Sequence, residues 1–143
     1  MSVFCWPARV YWEDTDGGGV VYYANYLKYL ERARTEWLRT QGVSQQSLAR
    51  EQGIVFAVTS IRLDYRRPAR LDDELLVSCE PRTARSASVS FVQHVYRRKS
   101  NAQPPGELLA SGEVRIACLD AATFRPQRLP SFMLSALNPP EPS

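Results

Sequence analysis

The chain has 143 residues but only one histidine, three cysteines and two lysines. One histidine is too few for a zinc site built on histidine, and a Ser-His-Asp or Cys-His triad would have to use His94. That histidine lies in an alternating run at 91–96 that is typical of a strand, with no nucleophile motif nearby. We therefore expect a structural, half-buried histidine. If the protein is an enzyme, a carboxylate should carry the chemistry.

Long apolar runs are also absent. No stretch approaches the ~20 residues that a membrane-spanning helix needs. The first residues include Pro7 and Arg9 and do not resemble a signal peptide. Cys5, Cys79 and Cys118 are odd in number and lack metal-ligand spacing, so free thiols in a reducing compartment are the simplest interpretation. These features predict a cytoplasmic protein.

Strong charge of either sign is missing as well. The formal net charge is +3, which is too small an excess to indicate a nucleic-acid-binding protein. Nearly all the basic residues are arginines, which suit bidentate contacts with phosphate. The composition therefore allows a phosphate-bearing small ligand, and nothing in it predicts a metal or a cofactor. The length suits one domain.

One segment has the periodicity of a long helix. From about residue 23 to 41, apolar side chains recur at spacings of four, three and four, giving one stripe. The stripe consists of Tyr26, Leu30, Ala33 and Trp37, widened by Leu27 and Leu38. Charged side chains lie mainly off it, and Glu31 with Arg34 has the spacing of a surface ion pair. Ser44 is the expected N-cap of a second, short helix that ends near Gly53.

Other segments alternate with a period of two, which predicts an antiparallel sheet with one buried face. The predicted strands are centred on residues 8–12, 61–65, 75–79, 89–95 and 114–118. Prolines mark an exposed loop at 100–106 and a frayed tail at 138–143. A long helix with one apolar stripe has one obvious partner, the curved inner face of the sheet. We therefore predict a single α+β domain over 1–137.

The segment whose residues could take part in a reaction precedes the long helix. Asp14 and Asp16 are followed by three glycines at 17–19. A helix start offers unpaired N–H groups and partial positive charge, and glycines let a ligand approach the backbone. A carboxylate there could attack a carbonyl, or activate water, while the N–H groups polarise the carbonyl oxygen. The spacing fits no dinucleotide, Walker or Ca²⁺ loop. Because acidic glycine-rich turns are common, spacing alone also allows an ordinary turn.

Residues 9–26, RVYWEDTDGGGVVYYANY, closely resemble the signature of the 4-hydroxybenzoyl-CoA thioesterase family. Residues 29–39 and 64–73 resemble the bacterial branch of that family found with the Tol-Pal envelope system. The resemblance extends over residues from about 5 to 130. It implies a hotdog fold, in which a curved antiparallel sheet wraps a long helix, in agreement with the pattern above. It also implies hydrolysis of an acyl-CoA thioester to a free acid and CoA.

The resemblance further implies which residues act. Asp16 would be the catalytic carboxylate, as nucleophile or general base, and the backbone N–H of Tyr23 would polarise the thioester carbonyl. The family often has His or Phe at the position of Tyr23, and a backbone role survives that change. Asp14 would support the loop by hydrogen bonding. Arginines are candidate partners for the CoA phosphates, and charge is the only reason for choosing them. The expected substrate contacts are Gly19, Val20, Tyr22, Asn25, Arg67 and Arg98.

The family also implies dimers with active sites between subunits, usually assembled into tetramers as a dimer of dimers. The expected partners are the acyl-CoA substrate, acyl carrier protein and further copies of the chain. Two alternatives stay open. A hydratase or dehydratase of acyl thioesters would normally need a histidine beside Asp16. A binding or scaffold protein of the envelope or phospholipid-synthesis machinery would not need the Asp16 and glycine turn that are present.

Overall fold

The computed structural model describes residues 3–99 and 105–137. The predicted frayed tail at 138–143 lies outside these residues, and so does most of the predicted loop at 100–106. No helix in the described ranges combines the length and the apolar character needed to cross a membrane.

Five antiparallel strands form one sheet in the described chain, and four of them follow the predicted alternation. The strands are β1 (Phe4–Arg9), β2 (Ile54–Tyr65), β3 (Glu74–Ala84), β4 (Ser88–Arg97) and β5 (Glu107–Asp120). Their order is β1-β3-β4-β5-β2, which puts the short β1 and the long β2 at the edges. One face of the three inner strands is buried: Leu75, Val77, Cys79, Val89, Phe91, Val95, Val114, Ile116 and Cys118.

The long helix α1 (Tyr26–Thr40) lies against this buried face and follows a 3-10 turn, Tyr23–Asn25. Its Trp37 ring packs edge-on against Phe91 of β4, with ring centroids 5.3 Å apart. Two short helices complete the described chain, α2 (Gln45–Ser47), continued by a π-type turn at Leu48–Gln52, and α3 (Ser131–Leu137). The predicted α+β architecture, one long helix covered by an antiparallel sheet, is confirmed.

Local signals for the short helix were also correct. The Ser44 side chain accepts a hydrogen bond from the Ser47 N–H at 3.1 Å, as an N-cap should. Gly53 closes the segment with a left-handed backbone at φ +65°.

The first strand was predicted too far along the chain. It ends at Arg9 rather than Trp12, and the Trp12–Asp14 segment forms a 3-10 turn. The physical cause is a local hydrogen bond, because the Tyr11 N–H donates to Asp14 Oδ2 at 3.0 Å instead of to a neighbouring strand. Trp12 is therefore 78% exposed despite its strand preference.

The buried face of α1 also differs from the prediction at two positions. Leu27 is 39% exposed, whereas Arg34, expected to pair with Glu31 on the surface, is only 9% exposed. Arg34 turns inward because its Nη1 donates to Gln93 Oε1 on β4 at 2.9 Å. Because long polar side chains can occupy an apolar stripe when they find an internal partner, hydrophobic periodicity misassigned this position.

The contrast between two leucines of α1 tests this placement of the helix. Replacing Leu30, which is fully buried, with alanine should lower the free energy of unfolding by about 2–5 kcal/mol, because a cavity is left in the core. The control Leu27→Ala should change it by about 0.5 kcal/mol or less. Urea denaturation followed by circular dichroism measures both, and equal losses would contradict the placement of α1.

Candidate active site

The acidic glycine-rich segment forms a tight hairpin. The Asp16 N–H donates to the Val20 carbonyl at 3.0 Å, and the Tyr22 N–H donates to the Asp14 carbonyl at 3.0 Å. Between them, Gly17 and Gly19 have φ values of +89° and +83°, in the left-handed region where side chains are strained. The glycines are thus required by the turn itself, and the hairpin delivers the chain directly to the start of the helical region.

Asp16 stands at the corner of this hairpin with its side chain exposed in the single chain. Its Oδ1 accepts a hydrogen bond from the Gly18 N–H at 2.8 Å, which orients the carboxylate. A Cβ at position 18 would lie 3.2 Å from the same oxygen, so a side chain there would crowd it. Within residues 3–99 and 105–137, Oδ2 accepts no hydrogen bond. One oxygen of the carboxylate is therefore held and the other is available.

Asp14 has the opposite environment. It is 6% exposed, and its Oδ2 accepts hydrogen bonds from the Tyr11 N–H at 3.0 Å and the Tyr29 hydroxyl at 2.9 Å. Its carbonyl also accepts from Asn25 Nδ2 at 2.8 Å. Burial, and then the bond to Asp14, raise the pKa of Tyr29, so that this phenol stays a donor. These contacts agree with the predicted supporting role of Asp14, which links the hairpin to α1.

Tyr23 is the first residue of the 3-10 turn that leads into α1. Because no turn of helix precedes it, its N–H has no intrahelical acceptor, and none is found elsewhere in the described chain. Its carbonyl accepts a hydrogen bond from the Tyr65 hydroxyl of β2 at 2.9 Å. Tyr22 and Tyr23 stack with ring centroids 4.7 Å apart, and both are exposed. The turn therefore presents a free donor beside an aromatic surface.

A support for the hairpin comes from a segment that sequence reasoning did not connect with it. The Val21 N–H donates to the Ala69 carbonyl at 2.8 Å, and the Leu71 N–H donates to the Gly19 carbonyl at 3.1 Å. The Ala69 N–H donates in turn to the Tyr26 hydroxyl of α1 at 2.9 Å. About fifty residues separate the two segments, and no local pattern signals a contact at that range. The segment did stand out within 64–73, where Arg67 was an expected substrate contact, but a structural support for the hairpin was not predicted.

The two arginines predicted to contact substrate lie in ion pairs. Arg67 Nη1 is 3.0 Å from Glu107 Oε1, and Arg98 Nη1 is 3.1 Å from Glu74 Oε1. Both side chains are more than half exposed. Arg70, in contrast, forms a backbone bridge with Val20 of the hairpin, and its backbone N–H donates to Asp73 Oδ2 at 2.8 Å. In the described chain no carboxylate oxygen lies within 4.0 Å of its guanidinium.

His94 is half-buried on β4, as predicted, and its Nδ1 lies 3.0 Å from Ser111 Oγ. Burial lowers the pKa of His94, so the imidazole is neutral near pH 7. Burial raises the pKa of Cys79 to about 12, which keeps that thiol protonated. In the part of the chain that the structure describes, no three His, Cys, Asp or Glu side chains are grouped to hold a metal ion.

The fold, together with the following comparisons, defines a thioesterase of the hotdog class. The family model described as Thioesterase-like superfamily matches residues 10–137, and the chain belongs to that superfamily. It is 40% identical over 135 residues to the acyl-CoA thioesterase YbgC of Haemophilus influenzae, with 94% of each chain covered. It is also 40% identical over 134 residues to the acyl-CoA thioester hydrolase YbgC of Shigella flexneri, covering 94% of this chain and 95% of that protein.

Solved structures extend the likeness to the fold. The structure of Slr0204, a 1,4-dihydroxy-2-naphthoyl-CoA thioesterase from Synechocystis, aligns with a TM-score of 0.84. The alignment covers 96% of this chain and 97% of that one at 24% identity, so it speaks for the fold alone. The predicted hotdog fold and the predicted thioesterase class are thus confirmed.

The two aspartates should respond differently to removal of the carboxylate. Asp14→Ala leaves the Tyr11 N–H and the Tyr29 hydroxyl without an acceptor and should lower the free energy of unfolding by about 1–3 kcal/mol. Asp16→Ala removes one exposed contact and should cost about 1 kcal/mol or less. Urea denaturation distinguishes the two. A larger loss in the Asp16 variant would mean that the structural and functional carboxylates have been assigned in the wrong order.

Proposed function

We propose that the protein hydrolyses acyl-CoA thioesters to a free acid and CoA, with Asp16 as the catalytic carboxylate. The proposal rests on two groups that flank the glycine hairpin, the carboxylate of Asp16 and the N–H of Tyr23. At one end a carboxylate has one oxygen held by the Gly18 N–H and the other available. At the other end the N–H of Tyr23 has no acceptor in the described chain. The acyl-CoA thioesterases that are 40% identical to this chain support the choice of substrate class.

In this mechanism the thioester carbonyl oxygen accepts a hydrogen bond from the Tyr23 N–H, which stabilises the charge that develops as the carbonyl is attacked. The free oxygen of Asp16 either attacks the carbonyl carbon, or takes a proton from a water that attacks it. In the first route the C–S bond breaks, CoA leaves as a thiolate, and water then cleaves the acyl anhydride. Both routes release the acid and CoA. A thiol has a pKa near 8.5, so the thiolate can leave without a strong acid, and no histidine is needed.

The substrate contacts belong to the same proposal. Gly19, Val20 and Tyr22 form the hairpin wall between the two catalytic groups, and Asn25 fixes that wall through its bond to the Asp14 carbonyl. Arg67 and Arg98 remain predicted partners of the CoA phosphates, although each would have to share its guanidinium with a carboxylate. Arg70 is a further candidate, since its backbone lies against Val20 and, in the described chain, no carboxylate lies within 4.0 Å of its guanidinium.

We further propose that two copies pair along the outer edge of β2. Among the described residues this edge strand has no neighbour on one side. It exposes large apolar side chains, with Val58, Ile61 and Tyr65 at 46%, 39% and 47%. Pairing would remove an exposed sheet edge. Because the Tyr65 hydroxyl bonds the Tyr23 carbonyl, this edge reaches the catalytic turn, and a site between subunits follows. A dimer of dimers is the expected further assembly.

Other finer parts of the proposal are carried by the sequence. Membership of the 4-hydroxybenzoyl-CoA thioesterase family rests on the resemblance of residues 9–26. A setting with the Tol-Pal system, with acyl carrier protein as a partner, rests on the resemblance of residues 29–39 and 64–73. A cytoplasmic location rests on the three cysteines, which are expected to be free thiols in a reducing compartment.

The catalytic role of Asp16 is tested by Asp16→Asn, which keeps the size and the bond from Gly18 but removes the nucleophile or base. Hydrolysis of a panel of short-chain, long-chain and aromatic acyl-CoAs should fall by about 10²–10⁴-fold in kcat, with the melting temperature unchanged. The matched control Glu51→Gln, an exposed carboxylate on the π-type turn, should leave the rate unchanged. Normal turnover by a folded Asp16→Asn protein would refute the role.

The proposed dimer is tested by placing a charge at the β2 edge. Ile61→Lys should shift the molar mass in size-exclusion chromatography with light scattering toward the monomer and reduce hydrolysis in parallel, because a lysine disfavours edge pairing. Leu134→Lys on α3, where the leucine is 43% exposed, is the control and should change neither. An Ile61→Lys protein of wild-type mass and activity would argue against the β2 edge as the interface.

A further inference from the structure

The middle of α1 carries a buried cation without an anionic partner. The Arg34 side chain is 9% exposed, and its Nη1 donates to the neutral amide of Gln93 at 2.9 Å. Among the described residues no carboxylate oxygen lies within 4.0 Å of this guanidinium. Gln93 is itself fixed, because its Nε2 donates to the carbonyls of Leu30 at 3.0 Å and Ser78 at 3.3 Å. The amide therefore positions the guanidinium without supplying a negative charge.

Such an arrangement is costly in the absence of a ligand. A charge taken out of water loses hydration that one neutral hydrogen bond does not replace. Burial accordingly lowers the pKa of Arg34, although arginine stays protonated at any ordinary pH. A buried, positioned and unpaired guanidinium has the properties expected of an anion-binding group.

Arg34 lines a cavity of about 130 Å³. No fully buried side-chain nitrogen or oxygen in the described chain lacks a hydrogen-bond partner, so the nitrogens of Arg34 that make no bond must reach open space. Five of the eight residues that line this space are apolar: Leu38, Phe56, Val58, Phe91 and Ile116. Polar groups of Glu31 and Gln45 also border it.

We propose that this cavity binds a carboxylate carried on a compact apolar body, with the free donors of Arg34 holding the carboxylate. The planar guanidinium matches a carboxylate with two parallel hydrogen bonds. The two phenylalanine rings and the aliphatic walls suit one aromatic ring or a short branched chain, since a cavity of about 150 Å³ holds benzene. Glu31 at the border adds negative charge and favours a monoanion over a phosphate dianion.

The carboxylate can come from two sources. It can be the far end of the acyl group of a substrate, in which case Arg34 determines acyl specificity and the proposal rests on the proposed function. It can instead be a separate free acid that binds while the acyl-CoA is also bound. Both present the same chemistry to Arg34, and steady-state kinetics distinguish them.

The test uses benzoate and its neutral analogue benzamide, measured by isothermal titration calorimetry on the full chain. Benzoate should bind the wild-type protein at least about tenfold more tightly than benzamide does, because only benzoate is an anion. Arg34→Gln should weaken benzoate by about tenfold or more and leave benzamide unchanged, whereas Arg34→Lys, which keeps the charge, should lose less. Arg32→Gln removes an exposed cation from the same helix and should have no effect.

Failure of benzoate to bind the wild-type protein, or equal binding of benzoate and benzamide, would overturn the proposal. This comparison needs no variant, so it stands even if Arg34→Gln does not fold. Repeating the titration on Asp16→Asn keeps the result independent of hydrolysis.

Competitive inhibition of acyl-CoA hydrolysis by benzoate would identify the acyl group as the natural source of the carboxylate. Noncompetitive inhibition or activation would identify a free acid.

Discussion

The site depends on the buried carboxylate of Asp14. It accepts hydrogen bonds from the Tyr11 N–H on one side of the hairpin and from the Tyr29 hydroxyl of α1 on the other. The carbonyl of the same residue accepts from the Tyr22 N–H and from Asn25. A buried carboxylate without its donors would be strongly unfavourable, so these four contacts keep the hairpin at the start of the helix. The positions of Asp16 and of the Tyr23 N–H follow from this connection.

Asp14 and Asp16 carry the same chemical group but have different roles, because their environments differ. Asp14 is buried, and its Oδ2 accepts two hydrogen bonds from within the fold, so this carboxylate serves the structure. Asp16 is exposed and keeps one oxygen free of hydrogen bonds within the described chain. The glycines between Asp16 and Val20 make this separation possible, because a left-handed backbone reverses the chain within three residues. The hairpin then rests on the 69–71 segment, which restrains the loop from outside.

Arginines divide in a similar way according to their partners. Arg97 forms ion pairs with Asp73 Oδ2 at 2.8 Å and Glu107 Oε2 at 2.9 Å, and these pairs stabilise the fold. Arg34 has an amide in place of a carboxylate, and it faces a cavity. Counting arginines in the sequence indicated that an anionic ligand was allowed, but neither charge nor periodicity distinguished a structural arginine from one with free donors. Hydrophobic periodicity in fact assigned Arg34 to the surface, which was wrong.

Local patterns in the sequence were sufficient for the α+β class, the long helix, four of the strands, the cap at Ser44 and the glycine turn, because each depends on residues within a few positions of one another. The resemblance of residues 9–26 to a thioesterase signature identified the class and the candidate carboxylate. The end of the first strand at Arg9 follows from a local hydrogen bond between Tyr11 and Asp14 that strand preference did not reveal. Tertiary structure decided two further features: the inward turn of Arg34 toward Gln93, and the support of the hairpin by Ala69 and Leu71. The last two depend on hydrogen bonds between residues some fifty or more positions apart, which form only once the sheet has brought those residues together. A local pattern carries no information about such contacts.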